Sequence, residues 1–238
     1  TENQFMNPIG FGALMGMLKN YELLNPIVAP THDAFQRLKP GFEAPVCVVT
    51  SLGQSATVPS RNRTVLAGLV RDLKNPLATR FELRSPNPHT NTYLIIGATY
   101  QVMLDGIRAV LESGKTPLEL EKSISKSYGE EDFYLEKNRE YRSERNIYTD
   151  YTPEERGKLF GEPPANVWNC FKAWGSEPED IAMITGGNQV LDQILRSYQT
   201  HMTYKWIMEY HDRYIPNTME LIRQCRQLHT DDTNIYDQ

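Results

Sequence analysis

The chain has 238 residues, 39% of them hydrophobic and 23% charged, with 15 glycines and 15 prolines. That is enough for one large domain or two small ones around a sizeable core, and it excludes collagen-like, low-complexity and wholly disordered chains. The 25 Lys and Arg against 30 Asp and Glu give a formal net charge of −5, so no overall positive field draws in nucleic acid or anionic lipid, although a local basic patch is allowed.

Read in chain order, Asn7 caps a helix and Pro8 suits its first position, with Phe11, Leu14, Leu18 and Tyr21 recurring at helical spacing over 8–24. Pro26 and Pro30 are expected to end it. Pro40-Gly41 marks a turn before a strand near 44–50, and residues 51–63 read as a long loop rich in Gly, Ser, Thr, Pro and Arg. Strands are expected near 65–71 and 80–84, in an antiparallel sheet. A long helix follows over 92–113, stopped by Gly114 in the left-handed conformation. From Pro117 to Lys158 the chain is highly charged and Tyr-rich, which predicts solvated helices and connections; Thr152-Pro153-Glu154-Glu155 is a capping box there. Leu191, Leu195, Tyr198, Met202 and Trp206 trace a further amphipathic helix, broken at Pro216 and followed by a last one. The whole is an α+β architecture, with a mixed first part (1–114) and a charged, helical second part (115–238).

No span reads as long and apolar enough to cross a membrane; the nearest, Tyr93 to Leu104, is interrupted by Thr99 and Gln101 and closed by Asp105. The N-terminus has neither a basic nor an apolar leader region. Cys47, Cys170 and Cys225 are far apart and in no metal-like or paired pattern, as in a reducing compartment. The expectation is a cytoplasmic protein with no nucleic-acid or membrane partner. Starting at Thr1 and running at once into a helix, the chain reads as a piece of something longer.

Three motifs can carry chemistry. In Arg80-x-Glu82-x-Arg84 the strict alternation puts three ionised groups on one strand face and Phe81 and Leu83 on the other. Two guanidiniums can grip carboxylate or phosphate oxygens, and the carboxylate between them can ligate a hard cation; a solvated, self-neutralising sheet face has the same pattern. Arg61-Asn62-Arg63, with Arg71 and Lys74 behind, can swing onto a polyphosphate, or be an ordinary exposed loop. Arg37-Leu-Lys-Pro-Gly-Phe-Glu43 is a turn with charges of both signs. Gly10-x-Gly12 and Gly186-Gly187 lack the setting of a phosphate loop and read as packing or caps. The five histidines show no metal-like spacing.

Taken together, Arg37-Leu-Lys-Pro-Gly-Phe-Glu43-Ala-Pro, Arg61-Asn-Arg63, Arg80-Phe-Glu82-Leu-Arg84-Ser-Pro-Asn-Pro, Asn91-Thr-Tyr-Leu and Leu104-Asp-Gly-Ile resemble, in order and spacing, the C-terminal part of the glutamine synthetase catalytic domain. The resemblance runs from about Pro8 to Ile107 and is much weaker beyond. It implies a glutamine synthetase/guanidino kinase-like fold. It also implies an ATP-dependent ligase that forms γ-glutamyl phosphate from ATP and glutamate and lets ammonia displace the phosphate, with Mg²⁺ or Mn²⁺ as cofactor. Residue by residue, Arg37 and Arg84 match arginines that hold glutamate and the acyl phosphate, and Glu43 the flap glutamate of the ammonium pocket. Arg63 matches an arginine at the γ-phosphate, Arg80 one on the nucleotide, and Glu82 a metal ligand.

Several features depart from the family pattern. Gly68 stands where the common bacterial form has a second arginine, leaving Arg71 or Lys74 as substitutes. The loop between Glu43 and Arg63 is longer than in that form, and the segment from about Lys115 to Asn188 is longer and more charged than the family pattern leads one to expect. The N-terminal β-grasp domain and upstream metal carboxylates lie outside the sequence, so the piece alone is expected to be inactive and not to build the family's homo-oligomeric ring. Two other readings stay open: a γ-glutamyl ligase using an amine in place of ammonia, and a degenerate homologue acting as a binding module.

Overall fold

A computed structural model describes residues 4–38, 47–162, 164 and 166–226. The first helical stretch forms as two helices, α1 (Pro8–Lys19) and α2 (Tyr21–Val28), joined at Asn20. Asn7 caps α1 by accepting from the Gly10 amide at 2.8 Å, and Phe11, Leu14, Leu18 and Tyr21 are buried as their spacing predicts. Pro26 does not end the run. It lies inside α2, where the proline forfeits one backbone bond but Leu24, Ile27 and Val28 beside it are fully buried, and that burial outweighs the loss. A short helix α3 (His32–Gln36) follows.

The long helix α4 (Thr92–Ser113) has the expected bounds, with Asn91 as its cap and Gly114 at φ 64° as its stop. It lies against α1 at a glycine seam. A Cβ on Gly106 would stand 2.1 Å from the Gly12 carbonyl oxygen, and one on Gly16 would stand 2.1 Å from that of Val102. The expectation that no span could cross a membrane is corrected here: α4 is 22 residues long with a mean hydropathy of 1.4, enough by length and composition. The helix continues past Asp105 because that carboxylate is spent within the fold, accepting from the Tyr134 hydroxyl at 2.6 Å. One face of α4 (Ala98, Val102, Val110) is in the core and the other (Tyr93, Ile96, Tyr100, Leu111) is exposed.

The sheet is mixed, not antiparallel throughout. β1 (Thr50–Ser51) pairs in parallel with β4 (Ala67–Val70), and β4 pairs antiparallel with β5 (Arg80–Leu83). On the far side of β1 the Thr50 amide donates to the Tyr141 carbonyl and the Ser143 amide to the Thr50 carbonyl, so the chain near 141–143 extends the sheet. This long-range neighbour is what a strand-by-strand reading could not supply. Part of the expected strand at 44–50 lies outside the described residues. The stretch read as a loop over 51–63 contains a small hairpin, β2 (Gly53–Ser55) with β3 (Val58–Pro59), made possible by Gly53 at φ 106°.

The charged segment is more than a solvated connection. It carries α5 (Pro117–Ile124) and α6 (Pro153–Phe160), both opened by capping boxes, and it buries Leu120, Leu135, Tyr141, Ile147 and Phe160. Further on come α7 (Val167–Phe171), α8 (Ala182–Thr185), capped by left-handed Gly186, and α9 (Gln189–Lys205). Trp174 is fully buried and donates to the Leu23 carbonyl at 2.8 Å, tying this half to α2. Pro216 does not break the last helix: a π-helical stretch over Trp206–Tyr214 leads into α10 (Ile215–Gln224), where the proline occupies the first turn and its missing N–H costs little.

All three cysteines are free, with Cys47 and Cys170 buried and Cys225 exposed. Burial pushes the Cys47 thiol up to about 12 and raises that of Cys170 as well, so neither forms thiolate at neutral pH. Iodoacetamide at pH 8 is therefore expected to label the native protein once, at Cys225. Rapid labelling of Cys47 or Cys170 by mass spectrometry would contradict this packing.

Candidate anion-binding site

Strand β5 alternates as expected. Phe81 and Leu83 pack on the main core, while Arg80 and Glu82 face the other way, opposite Val70 and Gly68 of β4. Just past the strand, the Arg84 Nε donates to Glu82 Oε1 at 3.1 Å and its Nη1 to the Asn62 carbonyl at 2.8 Å. Its Nη2 lies 3.0 Å from where a Cβ on Gly68 would stand, so the guanidinium rests over the bare glycine. The Arg84 side chain is 14% exposed and that of Glu82 is 41% exposed.

The other expected site residues distribute around this pair. Arg37 follows α3, and its Nη1 donates to the Pro86 carbonyl at 3.3 Å, anchoring the chain just beyond Arg84. Arg80 is exposed, bonds among the described residues only to the Ala78 carbonyl in its own turn, and stands four residues, about 13 Å, from Arg84. Arg63 is exposed in the loop before β4 and meets Arg84 through its neighbour Asn62. Glu43 lies outside the described residues. Arg71 is no substitute at position 68: its Nη1 is spent on the carbonyls of Ala56 and Gln4 at 2.7 and 3.3 Å. Lys74 sits in an exposed turn closed by Asp72.

Arg61 and Arg63 line a cleft of about 660 Å³ between the 53–64 loop and residues 144–148, with Gln54, Asn146 and Tyr148 among its walls. Among the described residues neither arginine has a carboxylate within ion-pairing distance. The carboxylate in the wall, Glu144, is already committed: it accepts from the amides of Leu52 and Gly53 at 3.0 Å, from Ser51 Oγ, and from Arg142 Nε at 3.0 Å. The cleft therefore presents two guanidiniums whose charge nothing in the described fold neutralises. Such a pair suits a phosphate or carboxylate ligand, held in planar, bidentate fashion. A second cavity, of about 440 Å³ and lined by Tyr21, Cys47, Leu66 and Cys170, offers buried thiols and apolar walls instead. Among the described residues no three or more His, Cys, Asp or Glu side chains converge as a metal cage.

The wall at 144–148 went unread in the sequence. Its contacts with the arginine loop span more than 80 residues, as in the bond from Asn62 Nδ2 to the Arg145 carbonyl, and no local pattern announces such a partner.

The glutamine synthetase catalytic-domain profile matches residues 2–148. The glutamine synthetase of Archaeoglobus fulgidus is 36% identical over 104 residues, covering 44% of this chain and 20% of its own length. That of Rhizobium meliloti is 32% identical over 146 residues, 57% of this chain and 29% of its own. The chain thus spans about a fifth to three-tenths of the curated relatives it matches. Among solved structures, Plasmodium falciparum glutamine synthetase aligns over 91% of this chain and 42% of its own with a TM-score of 0.58 at 19% identity. GmaS in complex with ADP aligns over 92% and 40%, also at 0.58, with 18% identity.

Proposed function

Because the chain belongs to the glutamine synthetase catalytic-domain family, we propose that it is part of an ATP-dependent glutamate–ammonia ligase, in which ATP phosphorylates the γ-carboxylate of glutamate and ammonia displaces the phosphate. The observation that carries this reading is the pair of unneutralised guanidiniums, Arg61 and Arg63, in the cleft beside the Glu82–Arg84 pair. Transfer between two anions needs positive, oriented donors around the developing charge and a site that sheds water. In this reading Arg63 meets the γ-phosphate and Arg80 the nucleotide, Arg37 and Arg84 hold glutamate and the acyl phosphate, and Glu43 closes over the site to shape the ammonium pocket. The same fold carries ADP in the GmaS complex, which supports a nucleotide as one ligand. On the family likeness alone, the parent is a cytoplasmic homo-oligomeric ring.

A divalent cation, Mg²⁺ or Mn²⁺, neutralises the transferring phosphoryl group when bound. In this chain Glu82 is the carboxylate in place for it, and it is ion-paired with Arg84. One engaged carboxylate does not make the six-oxygen cage such an ion needs. The same observation favours a second reading of the 238 residues taken by themselves, as an anion-binding module without turnover. Incubated with ATP, glutamate, ammonium and Mn²⁺, they are expected to release no phosphate above the no-glutamate blank. Robust release dependent on both glutamate and ammonium would show that these residues suffice for catalysis. In the parent protein, polyamine or ethanolamine replacing ammonium as the productive nucleophile would overturn the ammonia assignment.

A further inference from the structure

Asn62 stands between the two exposed arginines, and all four of its polar atoms are engaged. Its amide donates to Ser60 Oγ at 3.1 Å, and its Oδ1 accepts from the Thr64 amide at 2.9 Å and from Thr64 Oγ1 at 2.6 Å. Its Nδ2 donates to the Arg145 carbonyl at 2.7 Å, and its own carbonyl accepts from Arg84 at 2.8 Å. Thr64 Oγ1 in turn accepts from the Ile147 amide at 2.9 Å, a second strap between the arginine loop and the opposite wall. A surface loop of this composition has no regular backbone pairing of its own at 61–63. Its conformation is set by these bonds, and with it the placement of both guanidiniums.

We propose that Asn62 is a positioning residue: by bridging Arg84 on the sheet side to the Arg145 carbonyl on the far wall, it fixes Arg61 and Arg63 at the spacing that grips an anion. This rests on the reading of the cleft as the anion site. It assigns to the 142–148 segment the task of holding the arginine loop from the other side. Fixing a loop in its bound geometry raises affinity because less freedom remains to be lost on binding, so each arginine should contribute its full share only while Asn62 holds it.

The test is a double-mutant cycle on the full chain, with ATP in divalent-free, low-salt buffer as the probe in calorimetric titration. Arg63→Ala should weaken ATP binding about tenfold and Asn62→Ala, which frees both arginines, up to about a hundredfold; the double variant should lose little beyond Asn62→Ala, because an unaimed Arg63 has little left to lose. Asn62→Ser stays neutral but is too short to donate to the Arg145 carbonyl, and it should weaken binding by a similar factor. It stands in if Asn62→Ala fails to fold. Binding by both Asn62 variants at the native affinity would overturn the proposal, as would a double variant about tenfold weaker than Asn62→Ala, the product of independent effects. Absence of ATP binding by the unaltered chain would instead remove the reading of the cleft, and this inference with it.

Discussion

Gly106→Val is expected to lower the melting temperature by about 6–12 °C or more, and Gly97→Ala, on the same helix, to raise it slightly. At Gly106 an added Cβ would stand 2.1 Å from the Gly12 carbonyl oxygen, 2.5 Å from the Gly16 nitrogen and 2.6 Å from its Cα. All three are backbone atoms of α1, so no side chain can swing away; the two helices must separate by about 1 Å or more to restore ordinary contact distances. Separation loosens the residues packed on both sides of the seam, Leu14, Met15 and Leu18 from α1 and Val102 and Val110 from α4, all at most 1% exposed. Overpacking of a core typically costs about 1–3 kcal/mol, and a rigid backbone contact belongs at or above the upper end. Each kcal/mol moves the melting point of a domain this size by about 2–4 °C. At Gly97 a Cβ meets nothing within 4 Å, so alanine simply removes the helix cost of glycine, about 0.5–1 kcal/mol. Scanning calorimetry of the two variants checks this, and a Gly106→Val protein melting with the native one would mean that the seam is not the close contact described.

That seam also marks the line between what the sequence discloses and what it does not. Asn91, Gly114, Thr116 and Thr152 act within a turn or two of their own positions, so the caps and stops of α4, α5 and α6 can be read from neighbouring residues. The alternation of Arg80 to Arg84 is equally local, and it places Phe81 and Leu83 on the core side correctly. Strand direction is another matter. Whether β1 runs with or against β4 depends on a crossover through the 53–59 hairpin, which the composition of a loop conceals. Pro26 and Pro216 mislead for a related reason: a local cost is outweighed by burial in one case and absorbed by a helix's first turn in the other. At the site, the arginines are visible as a cluster, but their environment is not. That Arg84 reaches back 22 residues to the Asn62 carbonyl as well as to its near neighbour Glu82, while Arg61 and Arg63 have no partner among the described residues, shows only in the fold. Gly68 gains its meaning only in the same way. Its lack of a side chain reads in the sequence as the loss of an arginine, and in the fold as the berth of one.

Loss of both exposed guanidiniums is the functional counterpart of the broken seam. Arg61→Ala/Arg63→Ala is expected to weaken ATP binding by about a hundredfold while leaving the melting temperature unchanged. Charge-assisted bonds to phosphate contribute more than neutral ones, but both side chains are exposed, so solvent screening holds each to about tenfold, or ~1.4 kcal/mol. Neither side chain has an intramolecular bond among those described, so truncation removes no support from the fold. The net charge of −5 bears on the same point: the molecule as a whole repels a polyanion, and binding must come from local charge in the cleft. Lys74→Ala, which removes an exposed cation outside the cleft, should therefore leave the affinity unchanged. Raising the salt from about 0.1 M to about 1 M shortens the screening length from about 10 Å to about 3 Å. It should weaken the native protein markedly and the double variant less, because the variant has lost two of the charges that salt screens. Calorimetric titration at the two salt concentrations measures all of these. Equal losses on Lys74→Ala and on the double substitution would place the anion elsewhere on the surface and remove the cleft from the account.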